Sequence, residues 1–163
     1  MSVFPLRRRP AVSYHERPRA FGSPRDDGAR SHAGCDLYAK AGTEVLAVED
    51  GVVVRGPYPF YDGVGALEVR HPSGVVRYGE IHAAPGIHAG VRVGAGQTIG
   101  TVAALIHAPI DPITKQLAAM LHFEMYGGAG SGQLTDRSIR PFERRTDLVD
   151  PTGYLDSCLA AVG

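Results

Sequence analysis

The chain has 163 residues, 44% hydrophobic and 21% charged, which suits one globular domain large enough to bury a core. Seventeen basic side chains balance seventeen acidic ones, so no global charge argues for nucleic acid or a membrane surface, and no apolar run approaches the roughly 20 residues of a membrane span. The N-terminus, with Pro5 before Arg7, Arg8 and Arg9, lacks the apolar stretch of a Sec signal, and two cysteines, Cys35 and Cys158, read as free thiols.

Residues 1–30 are rich in Pro, Arg and Gly and show no sustained period. They read as an irregular N-terminal arm that wraps the domain, with Phe4, Val12, Tyr14 and Phe21 placed to pin it and the Arg7–Arg9 run solvated. Gly22–Gly28 is a turn cluster. Residues 31–163 read as a single β domain. Asp36–Tyr38 is a short extended piece. Val45–Val48 and Val52–Val54 flank Glu49-Asp50-Gly51, a hairpin signal. Gly56–Gly63 reads as a loop carrying three aromatics, Ala66–His71 and Val75–His82 as strands, and Val91–Val102 as two short strands around glycine turns. Residues 103–119, with Pro109 and Pro112, read as a loop with one helical turn near Lys115–Ala118. Ala119–Tyr126 is again a strand, followed by the Gly-rich run Gly127–Gly132, a polar tail and a short C-terminal helix over Pro151–Ala161. The expected fold is mainly β, an antiparallel, sandwich-like sheet domain with an open groove.

The chemistry is concentrated in His32 and Asp36, separated by three residues, and in His122 far downstream. Two imidazoles and a carboxylate suit a catalytic zinc, which keeps a position open for water. Strand alternation puts Met120, His122 and Glu124 on one face and Leu121, Phe123 and Met125 on the core face. The same rule groups Tyr78, Glu80 and His82, which nominates Glu80 and His82 as acid–base residues beside the metal. His15, His88 and His107 lie in loop-like segments and read as surface residues, His71 marks a strand end, and Cys35 turns away from Asp36 into the interior.

The order of the pieces adds to this. His32-Ala-Gly-Cys-Asp36, Ala41–Val45, Ala47–Val53, Leu67–His71, Val91–Gly100 and Leu121-His-Phe-Glu124 together resemble the LytM/lysostaphin-type peptidoglycan endopeptidases over about residues 30–127. The resemblance implies one Zn2+ per chain on His32, Asp36 and His122, and hydrolysis of peptide bonds in the stem peptides or cross-bridges of peptidoglycan. Two positions depart from the family pattern. Met120 stands where the His-Leu-His motif has its first histidine, and Glu80 stands where Tyr-x-His-Leu has its histidine. Both are non-ligand, acid–base positions; Met cannot move a proton, Glu can.

A second reading is a family member without catalysis that binds peptidoglycan or activates another wall hydrolase; Met120 favours it. A third, a biotinyl or lipoyl carrier, is disfavoured because the turn at Glu49-Asp50-Gly51 has no lysine. A wall hydrolase without a Sec signal is expected to be made in the cytoplasm and to act in the periplasm or wall after non-Sec delivery, as an antibacterial effector or phage-type lysin, with secretion machinery or an immunity protein as partners.

Overall fold

The computed structural model describes residues 1–128 and 132–161, so part of the Gly127–Gly132 run lies outside the described residues. A small hairpin comes first, β1 (Pro24–Arg25) and β2 (Arg30–Ser31), joined by a 3-10 turn at Asp26–Gly28. The main sheet contains β3 (Cys35–Tyr38), β4 (Glu44–Leu46), β5 (Gly51–Tyr61), β6 (Val64–His71), β7 (Gly74–Ala83), β8 (Arg92–Val93), β9 (Thr98–Val102), β10 (Met120–Tyr126) and β11 (Leu148–Val149), and α1 (Thr152–Ser157) closes the chain. Every pairing between these strands is antiparallel among the described residues. The order β11-β10-β7-β6-β5-β8 forms the spine, with β3 on β10 and β9 bridging β4 and β7. No helix among the described residues is long and apolar enough to cross a membrane.

Alternation builds the core. Leu121, Phe123 and Met125 of β10 meet Leu37 of β3 and Val76 and Tyr78 of β7 in one buried cluster. Phe4, Leu6 and Tyr14 of the arm join it, so the arm adds apolar area to the interior. Cys35 and Cys158 are buried free thiols.

Four local expectations are corrected. Asp50-Gly51 makes no hairpin, because β4 pairs with β9 and β5 with β6 and β8. The polar side chains of that turn are tied elsewhere: Glu49 accepts from Ser73 N and Tyr154 Oη, and Asp50 from Ala95 N. Gly56–Gly63 is largely strand. β5 runs on to Tyr61 with register shifts that absorb its glycine and prolines. Lys115–Ala118 forms no helical turn. A bridge between Ile110 and Leu117 closes that loop, and the Asp111 carboxylate accepts from Ile113 N and Thr114 N. The C-terminal helix stops at Ser157. Leu159 instead takes up extended pairing with the first residues, its N–H donating to Ser2 O and its carbonyl accepting from Phe4 N.

Candidate metal centre

β10 places His122 opposite Asp36 of β3 on one side and opposite Gly79 of β7 on the other. His32 precedes β3 in a turn where Gly34 packs against β10; a Cβ there would lie 2.3 Å from Phe123 O. The arm holds this turn in place. Asp36 N donates to Arg19 O, His32 N to Ser23 O, and Gly22 N to His32 O.

The three side chains converge. His32 Nε2 lies 3.1 Å from Asp36 Oδ1 and 3.2 Å from His122 Nδ1, and His122 Nδ1 lies 2.9 Å from Asp36 Oδ1. All three residues are buried. Their remaining nitrogens have other partners: His32 Nδ1 is 3.0 Å from Ala20 O, and His122 Nε2 is 2.7 Å from Glu124 Oε2. In the neutral tautomers that donate from these nitrogens, the other nitrogens present lone pairs to a single point. Two such lone pairs and a carboxylate oxygen facing one another call for a cation. Burial opposes charge on His122, yet Asp36 and Glu124 outweigh it and raise its pKa to about 9. Burial likewise pushes Asp36 up, but His32 and His122 hold it below the usual carboxylate range. The donor set fits one divalent metal ion, zinc above all.

Behind the centre, Glu124 is fully buried and multiply bound. Tyr126 Oη donates to it, Arg144 reaches it through Nε and Nη2 at 3.0 and 3.1 Å, and Arg77 Nη1 lies 3.4 Å away. Burial would raise its pKa, but Arg77, His122 and Arg144 hold it well below the ordinary value. The carboxylate therefore stays ionised and fixes the His122 ring. Its position two residues from His122 on one strand face is legible in the sequence; Arg144, twenty residues on, carries no such signal.

Glu80 reaches the site by breaking alternation. β7 pairs with β10 up to Gly79 and with β9 from Ile81, and the β6 register slips between Gly65 and Ala66. Glu80 is the extra residue of that bulge, in the left-handed region with φ 64°. Tyr78, in regular register before the bulge, points into the core, where its hydroxyl meets Val48 N and His71, while Glu80 lines the groove with His32, Asp36 and His122. Glu80 is buried, and its Oε2 has no hydrogen-bond partner among the described residues. Burial and the neighbouring Asp36 charge raise its pKa to about 8. His82, expected beside it, is exposed, pairs across to Thr101 of β9 and does not line the groove.

The groove encloses about 910 Å³. Met120 and Phe60 form apolar wall near His122, whose ring centroid is 5.6 Å from that of Phe60. His15, His88 and His107 are at the surface, and His71 ends β6 with its ring buried on Tyr78.

The profile of Peptidase family M23 matches residues 30–136. No curated protein sequence matches the chain. Among solved structures, the catalytic domain of the antimicrobial peptidase lysostaphin from Staphylococcus simulans is similar at 21% identity and TM-score 0.60, over 85% of this chain and 90% of that one. LytU is similar at 21% identity and TM-score 0.62, over 92% of each chain. In the solution structure of lysostaphin, at 22% identity and TM-score 0.60, the same 85% of this chain covers 49% of the longer chain. At these identities the structural likeness establishes a shared fold, and the profile match over residues 30–136 supplies the rest: the chain belongs to Peptidase family M23.

Proposed function

We propose that the protein is a zinc-dependent endopeptidase that hydrolyses peptide bonds in bacterial peptidoglycan, with His32, Asp36 and His122 holding one zinc and Glu80 acting as general base. The observation that carries this reading is Glu80 itself: a buried carboxylate with an unpartnered oxygen, set by a strained bulge into the groove beside the triad. Family membership and the likeness to lysostaphin support the substrate class.

Held by His32, Asp36 and His122, a zinc ion would supply Lewis acidity toward water and the scissile carbonyl. A cation beside Glu80 favours its carboxylate form and draws its pKa down from the raised value. Glu80 takes a proton from the attacking water as the C–O bond forms and returns it to the departing amine as the C–N bond breaks. Glu124 and the Ala20 carbonyl keep the two rings in the required tautomers. Met120 and Phe60 restrict water beside the reacting groups. His82 has no part in this scheme.

The second reading, a wall-binding or activating module without catalysis, is favoured by Met120, an apolar side chain beside the centre. Elemental analysis and peptide release from purified peptidoglycan separate the two. About one zinc per chain, with release abolished in His122→Ala and lowered at least roughly a hundredfold in Glu80→Gln, is the expected result. Zinc without release over several wall types overturns the enzyme reading in favour of the module.

A further inference from the structure

Attack on a peptide carbonyl moves the C=O π electron pair onto oxygen, and a cationic donor aimed at that oxygen lowers the barrier. Most cations of the groove are already engaged away from its centre. Arg77 and Arg144 lie on Glu124, Arg55 on Glu68, and Arg30 on Asp26. Arg25 differs. Its Nη2 stands 3.5 Å from Asp36 Oδ2, the oxygen turned away from the two histidines, and its charge is also felt by Glu80. Two carbonyls hold the guanidinium there, Pro18 O at 2.8 Å from Nη2 and Pro24 O at 3.2 Å from Nη1. These contacts leave N–H groups of its five-donor fork available for a ligand. The strap that carries it is tightly turned, with Asp26, Asp27 and Gly28 all left-handed and Arg30 closing on Asp26 at 3.1 Å.

We propose that Arg25 forms an anion subsite at the metal centre and binds the oxyanion of the scissile carbonyl, the substrate class being a peptide attacked beside the triad. This rests on the hydrolase reading. In the step, water oxygen bonds to the carbonyl carbon and gives its proton to Glu80, the π pair passes to the carbonyl oxygen and is met by Arg25, and collapse expels the amine with that proton.

The test uses zinc-loaded protein and inorganic phosphate as a tetrahedral anion, with calorimetric titration of wild type, Arg25→Lys and Arg25→Ala, zinc content of each, and steady-state peptide release. Arg25→Ala is expected to retain zinc, to bind phosphate roughly ten- to hundredfold more weakly, and to lose kcat about a hundredfold with little change in KM. Arg25→Lys is expected to restore part of both. Unchanged phosphate affinity in Arg25→Ala overturns the proposal, and so does loss of zinc from that variant, which would make Arg25 a brace for Asp36. A wild type that binds zinc and phosphate, with the Arg25 contrast intact, yet releases no peptide overturns the hydrolase reading while supporting the anion subsite.

Discussion

His122 and Glu124, two residues apart on β10, are joined by a 2.7 Å hydrogen bond between Nε2 and Oε2, while His122 Nδ1 faces Asp36 Oδ1 at 2.9 Å. One ring thus has a nitrogen on a buried carboxylate and a nitrogen at the candidate metal centre. Glu124→Gln is expected to weaken zinc binding by roughly 10- to 100-fold, measured by competition with a chelator. Glu124→Ala also removes the buried anion that Arg77 and Arg144 share and is expected to cost about 3–5 kcal/mol in denaturant unfolding. Zinc affinity unchanged in Glu124→Gln would show that the bond does not orient the ring.

The turn between His32 and Asp36 depends on Gly34. A methyl group there meets Phe123 O at 2.3 Å and Glu124 Cγ at 3.1 Å, so β3 must move off β10. Gly34→Ala is expected to cost roughly 1–3 kcal/mol and to lower zinc occupancy together with melting temperature. Ala substituted at Gly42, where nothing lies within 4 Å, serves as a control for backbone strain alone, because its φ is 91°.

Glu80 links pH to stability in the metal-free protein. Its folded pKa is about 8 against an ordinary 4.5, so the folded chain keeps the proton that the unfolded chain has lost. The contribution is present below about pH 4.5 and disappears as pH rises through about 8. Glu80→Gln is therefore expected to stabilise the metal-free protein, by an increment that grows between pH 5 and pH 8 in thermal melts. An increment independent of pH would mean that Glu80 ionises normally.

Tyr78 lies on the opposite side of β7 from the groove. Val48 N donates to its hydroxyl at 3.0 Å, and His71 Nε2 is 2.9 Å away. Tyr78→Phe leaves both without that partner and is expected to cost about 1–3 kcal/mol in unfolding. Zinc content and peptide release should hold at temperatures where the variant is folded. A selective loss of activity would contradict the separation of core and groove drawn at Glu80.

The strand faces of β10 were legible because period-two alternation is local, and His122 could be separated from Leu121 and Phe123 by counting. The convergence of His32, Asp36 and His122 was legible only as a set of suitable residue types. What brings them together is cross-strand register, which depends on residues 86 apart. Alternation misled at Glu80. It grouped Tyr78, Glu80 and His82, whereas the bulge turns Glu80 away from the core face that Tyr78 holds, and His82 lies outside the groove. A bulge arises from the transfer of β7 between two partner strands, and no short window records that transfer. Asp50-Gly51 misled for a related reason: a good hairpin dipeptide was overridden by strands pairing at longer range. Arg25 and Arg144 carried no local signal, since each acts across the fold.

β3 and β11 occupy successive stretches of the same margin of β10, over residues 120–123 and 125–126. In the zinc-loaded protein proposed here, the ion grips β3 and β10 at once and so acts as a non-covalent staple between the early and late parts of the chain. Its contribution follows mass action and reaches about 2.7 kcal/mol when free zinc is a hundred times the dissociation constant. Zinc-starved protein loses that staple. β3, otherwise held by its ladder to β10 and its buried side chains, then has one tie fewer, and where it parts from β10 the uncovered N–H and C=O groups become a template for another chain. Metal supply would thereby govern the shelf life of the folded protein as well as its chemistry.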